Sequence, residues 1–203
     1  SVVRTSDGKL ASQIEFNGKT GNGGSGLYYG LALSPDGKTL YVSYGSKDQI
    51  GIWTLNSDGT LTVKGDSIKI PKPAGAYMPS SPAGLAVTSD GSRLVVVNNQ
   101  TTHTSDYKGS VSVVDLLTGA ETARIPTAGF PFALGLLTKG PNANRIAYVG
   151  SERDGVVEIV DLASKMVKGQ IKTGAAPSAL LLDKNQKTLF VANTGSDTVS
   201  VVD

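Results

Sequence analysis

The 203-residue sequence predicts an all-β fold made of repeated four-stranded antiparallel sheets, on three observations. One strand–turn–strand unit occurs four times: Leu31 to Gly45 (LALSPDGKTLYVSYG), Leu85 to Asn99 (LAVTSDGSRLVVVNN), Gly135 to Ser151 (GLLTKGPNANRIAYVGS) and Leu180 to Thr194 (LLLDKNQKTLFVANT). A further apolar run follows each copy: Ile50 to Leu55, Val111 to Leu116, Val157 to Leu162 and Val199 to Asp203. Composition agrees, with 25 Gly, 6% aromatic residues and no long stretch with apolar positions at helical spacing. Short Val- and Leu-rich runs cut apart by Asn, Asp, Gly and Ser read as strands of sheets buried on both faces. Four such strands, repeated along a chain, make the blades of a β-propeller.

In chain order, Ser1 fits the column of Gly51, Ser112, Glu158 and Ser200 in the third strands, so residues 1–30 read as the end of one blade. Repeats then cover 31–70, 85–126 and 134–172, and 179–203 reads as an incomplete blade. Fourth strands are expected near Lys64 to Ile70, Thr122 to Pro126 and Val167 to Lys172, giving about seventeen strands in one domain. Third strands recur at intervals of roughly 42 to 61 residues, a drift that loop insertions absorb. The longest interval, from Gly51 to Ser112, holds both insertions, Pro71 to Ser81 and Gln100 to Gly109.

Formal net charge is +2, from 19 basic and 17 acidic residues scattered along the chain. No basic stripe marks a nucleic-acid partner. No apolar run approaches the roughly 18 residues that span a bilayer, and no charged-then-apolar leader opens the chain, so an export signal is not expected within these residues. The absence of Cys excludes disulfides, thiolate metal sites and thiol nucleophiles.

The strings SPDGKTLYVSYGSKDQIGIW and KTLFVANTGSDTVSVVD resemble the YVTN β-propeller repeat, whose pattern is SPDGKxLYVxNxxxxxVSVID. Departures fall in one turn: Lys184, Asn185 and Gln186 replace Pro, Asp and Gly, and Lys139 to Asn144 lengthen the third copy. The resemblance, to YncE-like periplasmic or cell-surface propellers, implies a seven-bladed disc. At roughly 45 residues per blade a disc needs about 315 residues. Completion is therefore expected from a larger parent chain, with a second chain and a four-bladed closure clasped by Ser1 to Phe16 as alternatives.

Residues that recur in every repeat belong to the scaffold, and those that do not are candidates for function. Asp48, Asp154 and Asp197 fall at one position between second and third strands and read as Asx turns bonding their own backbone, as do Asp115, Asp161 and Asp203. Gly21 to Gly26 (GNGGSG) matches G-x-G-x-x-G, but the following LYYGLALS reads as a strand, not the helix that dinucleotide binding needs. His103, the only histidine, stands near Asp106 and Tyr107 in an insertion and reads as a loop residue. Asn99, Gln100 and Thr101 form a glycosylation sequon. Trp53 reads as core. Metal and cofactor sites are not expected.

Propeller geometry points to one face, where connections from fourth to first strands and turns from second to third strands crowd the channel. Ligand-binding candidates there are Tyr28, Tyr29, Tyr77, His103, Asp106, Tyr107, Phe130, Phe132, Glu152 and Arg153, with Met78 beside them. Aromatic rings with a few charges suit a binding surface. The opposing reading has Tyr29, Phe130 and Phe132 filling joints between blades. The expected function is a non-catalytic exported module that binds a protein or small molecule. Resemblance also implies two alternatives: the propeller portion of an alkaline-phosphatase-like phosphoesterase whose catalytic domain is absent, and a lactonase-like hydrolase using His103, Asp106, Glu152 and Arg153. A redox subunit would carry colour.

Overall fold

A computed structural model describes residues 1–13, 28–72, 79–99 and 108–203. A hairpin of β1 (Val2–Val3) and β2 (Leu10–Ser12) precedes four antiparallel sheets. The first holds β3 (Leu31–Leu33), β4 (Thr39–Ser43), β5 (Gln49–Leu55), β6 (Leu61–Val63) and β7 (Ile68–Lys69). The second holds β8 (Pro82–Val87), β9 (Arg93–Asn98), β10 (Lys108–Asp115) and β11 (Glu121–Gly129). The third holds β12 (Pro131–Leu136), β13 (Ile146–Ser151), β14 (Val156–Asp161) and β15 (Met166–Lys172), and the fourth β16 (Pro177–Leu182), β17 (Leu189–Asn193) and β18 (Thr198–Val202). Eighteen strands are found among the described residues rather than seventeen. The first sheet's outer strand, expected as one run, is β6 and β7, both paired with β5. Gly65 lies between them at φ 70°, a left-handed conformation that interrupts a strand.

First strands begin at Pro82, Pro131 and Pro177, upstream of the expected starts, and a bulge follows each proline. The residue before each proline is left-handed: Ser81 at φ 50°, Phe130 at 50° and Ala176 at 52°. Such backbone strains a residue with a side chain, and one repeated bond holds it. The carbonyls of Ser81, Phe130 and Ala176 accept the N–H groups of Asn99, Glu152 and Thr194 at 3.1, 2.9 and 3.0 Å. The chain thereby turns sharply from the outer strand of one sheet to the inner strand of the next. The third repeat is also shifted by one residue from the sequence alignment: Leu134, not Gly135, is the partner of Val149 as Leu85 is of Val96.

At the opposite end, turns between first and second strands are built on carboxylates. Asp36 and Asp90 accept from the N–H groups of Lys38 and Ser92, and hydroxyl and backbone hydrogen bonds hold Asp90 down to about 2. Gly37 and Gly91 take φ 69° and 71° there. In the fourth sheet Gln186 occupies Gly37's place at φ 57°, so the turn survives its altered sequence. The acceptor moves to Asp183, which takes the N–H groups of Asn185, Lys187 and Thr188. Gln186 gains a role that glycine lacks: its Oε1 accepts the N–H groups of Thr138 and Lys139 in the third sheet at 2.8 and 2.9 Å.

Between second and third strands the expected equivalence of three aspartates is corrected. Asp48 and Asp197 share their left-handed position with Gly155, at φ 54°, 51° and 63°, and Asp154 lies one residue earlier. Among the described residues, Asp48 and Asp154 do not bond their own turns. Asp48 accepts the N–H of Ser81 at 2.9 Å and Asp154 that of Gly129 at 2.7 Å, so both tie down the inter-sheet connection. Asp115 does form the Asx turn, accepting from Leu117 and Thr118. Asp161 accepts from Ala163 and Ser164 and also pairs with Arg145 at 2.8 Å. Asp203 accepts the Thr188 hydroxyl instead.

Sheets pack face to face through aliphatic side chains. Val95, Val111 and Val113 of the second sheet meet Leu136, Val149 and Val160 of the third. Burial of one such side chain contributes about 1.5–3 kcal/mol. Within each sheet a buried polar pair joins the end of the second strand to the third. Asn98 donates to Ser112 at 2.6 Å, Asn193 to Ser200 at 2.9 Å and Ser151 to Glu158 at 3.3 Å. Tyr44 takes that place in the first sheet and accepts Trp53 Nε1–H at 3.0 Å, which puts Trp53 in the core.

Closure by the N-terminal segment is not formed among the described residues. β1 pairs with β2 alone and β18 with β17 alone. The hairpin instead meets the β5–β6 turn, where Ser12 Oγ donates to the Gly59 carbonyl at 2.7 Å.

Candidate functional site at the channel mouth

Four equivalent strings, YYGL leading into β3 and PAGL, PFAL and PSAL opening β8, β12 and β16, end at Leu31, Leu85, Leu134 and Leu180. These leucines pair with Val42, Val96, Val149 and Val191, which fixes the strings in one register. Their third positions are Gly30, Gly84, Ala133 and Ala179. Together with the leucines they line one cavity of ≈ 380 Å³, to which all four inner strands contribute. Small residues are required because neighbouring strands nearly touch: a Cβ on Gly84 would stand 2.7 Å from the Phe132 carbonyl, and one on Gly30 would overlap the Ala83 carbonyl.

Second positions ring the mouth of this channel as Tyr29, Ala83, Phe132 and Ser178. Tyr29 and Phe132, from the first and third sheets, meet with ring centroids 4.2 Å apart. The Tyr29 hydroxyl donates to the Ser178 carbonyl of the fourth sheet at 3.1 Å, so one side chain links three strands of the ring. Tyr28 meets the edge of Phe132 with centroids 5.9 Å apart at 81°. Both tyrosines keep much of their surface in solvent, 46% and 45%.

Glu152 lies close enough to this cluster for its charge to act on Tyr28. Burial raises the Tyr28 hydroxyl above its ordinary value, and the charge of Glu152 raises it further. Burial also pushes the Glu152 carboxyl up. Its backbone position is that of Asn99 and Thr194, whose side chains are spent on the joints: Asn99 donates to the Pro131 carbonyl and Thr194 to that of Ala176. The Glu152 carboxylate has no hydrogen-bond or ion-pair partner among the described residues.

Of the other expected site residues, Phe130 stands on the left-handed joint before Pro131 and Arg153 beside Gly129. Tyr77, Met78, His103, Asp106, Tyr107 and the GNGGSG stretch lie outside the described residues, as does most of the sequon. No group of three His, Cys, Asp or Glu that could hold a metal ion occurs among the described residues. Ala83 and Ser178 complete the ring and were missed in the sequence. The four strings ending in Leu would have shown them, had the third copy been aligned on Leu134.

No family model matches the chain. It is 30% identical over 129 residues to a seven-bladed β-propeller protein of Mycobacterium tuberculosis. The match takes in 64% of this chain and 30% of that protein. Its fold is similar to hydrazine synthase of Kuenenia stuttgartiensis, with a TM-score of 0.65 and 23% identity over 91% of this chain and 49% of the other. The chain is a β-propeller. Its four sheets are blades, the cavity between their inner strands is the channel, and the aromatic ring stands at one mouth of this propeller. The chain spans less than half the length of either relative, and likeness to the solved structure extends to fold alone.

Proposed function

We propose that this propeller is a binding module whose site is the aromatic channel mouth, and that its ligand carries a cationic group, such as an alkylated ammonium. The observation that carries the proposal is the Glu152 carboxylate. It takes the position where other blades bond a joint, leaves its own oxygens unpaired among the described residues, and stands near Tyr28. A cation over a tyrosine or phenylalanine face is attracted by the ring quadrupole, by about 0.5–2 kcal/mol per contact. A carboxylate beside the rings supplies the counter-charge that a partly desolvated cation needs. Assignment to the YVTN type is supported by Asn98 and Asn193, which occupy the repeat's asparagine position and join second to third strands.

Calorimetric or NMR titration with tetramethylammonium and with a trimethyllysine peptide tests the proposal. Saturable binding is expected, weakened roughly 2- to 30-fold by Phe132→Ala and abolished by Glu152→Gln with the melting temperature kept. Because burial raises the Glu152 carboxyl, affinity should be full above that raised value and lost as pH falls through it. Binding that ignores both substitutions, or no saturable binding to either probe, would sink the proposal.

A further inference from the structure

The joint between the first and second blades departs from its neighbour in three places that come together. The outer strand of the first blade is split into β6 and β7 around the left-handed Gly65, whereas β11 and β15 are single strands. The turn from third to fourth strand in the second blade carries Leu117 and Gly119 where the third blade has Ala163 and Lys165. Lys165 reaches back across its own joint, its Nζ donating to the Thr122 carbonyl of β11 at 3.5 Å. Gly119 has no side chain with which to do the same.

Where these departures meet, a cavity of ≈ 470 Å³ lies between β7 and the turn of the next blade. It shares no lining residue with the channel. Tyr41, Ile52, Ile68 and Leu116 form its buried and half-buried lining. Leu117, which also lines it, is 94% exposed, and the turn that presents it is fixed by its N–H bonded to Asp115 at 3.0 Å. Volumes of about 300–1,000 Å³ with an apolar lining and a few polar groups are those of small-molecule sites.

Two hydroxyls in the lining are unspent. Ser67 Oγ is buried without a hydrogen-bond partner among the described residues, so internal bonding does not compensate for the break in the strand. The Tyr41 hydroxyl also has no partner among the described residues. Burial, and then the charge of Asp36, raises it above its ordinary value, which keeps it a protonated donor at neutral pH. Asp66 and Lys69 stand exposed at the opening with opposite charges, so neither sign of ligand is favoured.

We infer that this cavity is a second binding site, and that it takes a compact, uncharged, largely apolar molecule with one hydrogen-bond acceptor, bonded by the Tyr41 hydroxyl and covered by Leu117. The inference is independent of the ligand proposed for the channel mouth.

NMR titration of the full chain with phenol, and with benzene as the analogue lacking the oxygen, tests it. Both should give saturable shifts at the amides of residues 66–69 and 116–119, with phenol bound roughly 2- to 12-fold more tightly. Tyr41→Phe should erase that preference and leave benzene binding and the melting temperature unchanged, because the hydroxyl it removes is unpaired in the free protein. Leu117→Ala, on an exposed turn, should weaken both probes by about threefold or more. Phe132→Ala should move neither. Shifts confined to the channel mouth, shifts that do not saturate, or a phenol preference that survives Tyr41→Phe would overturn the inference.

Discussion

At the scale of single residues, the scaffold depends on where a side chain is withheld as much as on where one is placed. Gly51 lies in the third-strand column that holds Ser112, Glu158 and Ser200 elsewhere, and a Cβ there would overlap the Tyr44 hydroxyl. Tyr44 fills the space that a smaller polar pair fills in the other blades, so glycine and tyrosine are one packing solution. Gly51→Ala should displace Tyr44 from Trp53 and destabilise the fold by about 1–3 kcal/mol, the cost of overpacking a tight core. Trp53 is the only tryptophan. A red-shifted, quenched emission in urea-free buffer, with a lower urea midpoint, checks the expectation; an unchanged spectrum would contradict it. Glu158 shows the opposite device. It is only 2% exposed, and it survives burial because it accepts from the Ala128 N–H, Ser151 and Gln170. The pattern of the strands left its partners unread, because Ala128 comes from the end of β11 in the preceding blade.

At the scale of elements, the turns join blades as well as strands. Asn144 sits at φ 60° in the lengthened turn of the third blade, and its side-chain oxygen accepts the N–H of Ser89 in the second blade at 2.8 Å. Gln186 makes the same reach from the fourth blade to the third. Where glycine would relax the backbone, these residues accept strain in exchange for a clasp. Asn144→Gly should therefore cost less than Asn144→Ala, since both lose the clasp but only alanine keeps the left-handed strain. Urea denaturation should show the alanine variant roughly 1–2 kcal/mol below the glycine variant; equal values would show that the turn relaxes. The sequence showed that these turns exist and where they fall. It could not show the clasps, because Ser89 and Asn144 are brought together only when two blades stack.

At the scale of the whole molecule, acid response follows from where carboxylates lie. Asp36, Asp90, Asp115 and Asp183 are held below the ordinary value by hydrogen bonds in exposed turns, Asp90 down to about 2. A lowered folded value gives stability that is complete above the unfolded value near 4 and lost as pH falls through the folded one. Glu152 and Asp48 are raised by burial and act in reverse, costing stability at neutral pH and releasing it on acidification. Melting temperature should hold or rise slightly from pH 7 to about 5 and fall steeply below about 4. Calorimetry across that range checks it, and a steady decline from pH 7 would show that the turn carboxylates are not ionised partners.

Strand identity, blade repetition and the position of most turns were determined by the sequence alone, because they rest on local alternation of apolar and turn residues along four comparable copies. Trp53 in the core and the carboxylate turn at Asp115 were legible for the same reason. The joint bonds of Asp48 and Asp154, the shift of the third repeat onto Leu134 and the meeting of Tyr29 with Phe132 were decided by tertiary structure. Each depends on the angle at which one blade follows another, and the left-handed residues Ser81, Phe130 and Ala176 set the sharp turn between blades. The same holds for Glu152: its sequence neighbours mark it as one acidic residue in a turn, and only the stacking of blades puts it beside Tyr28.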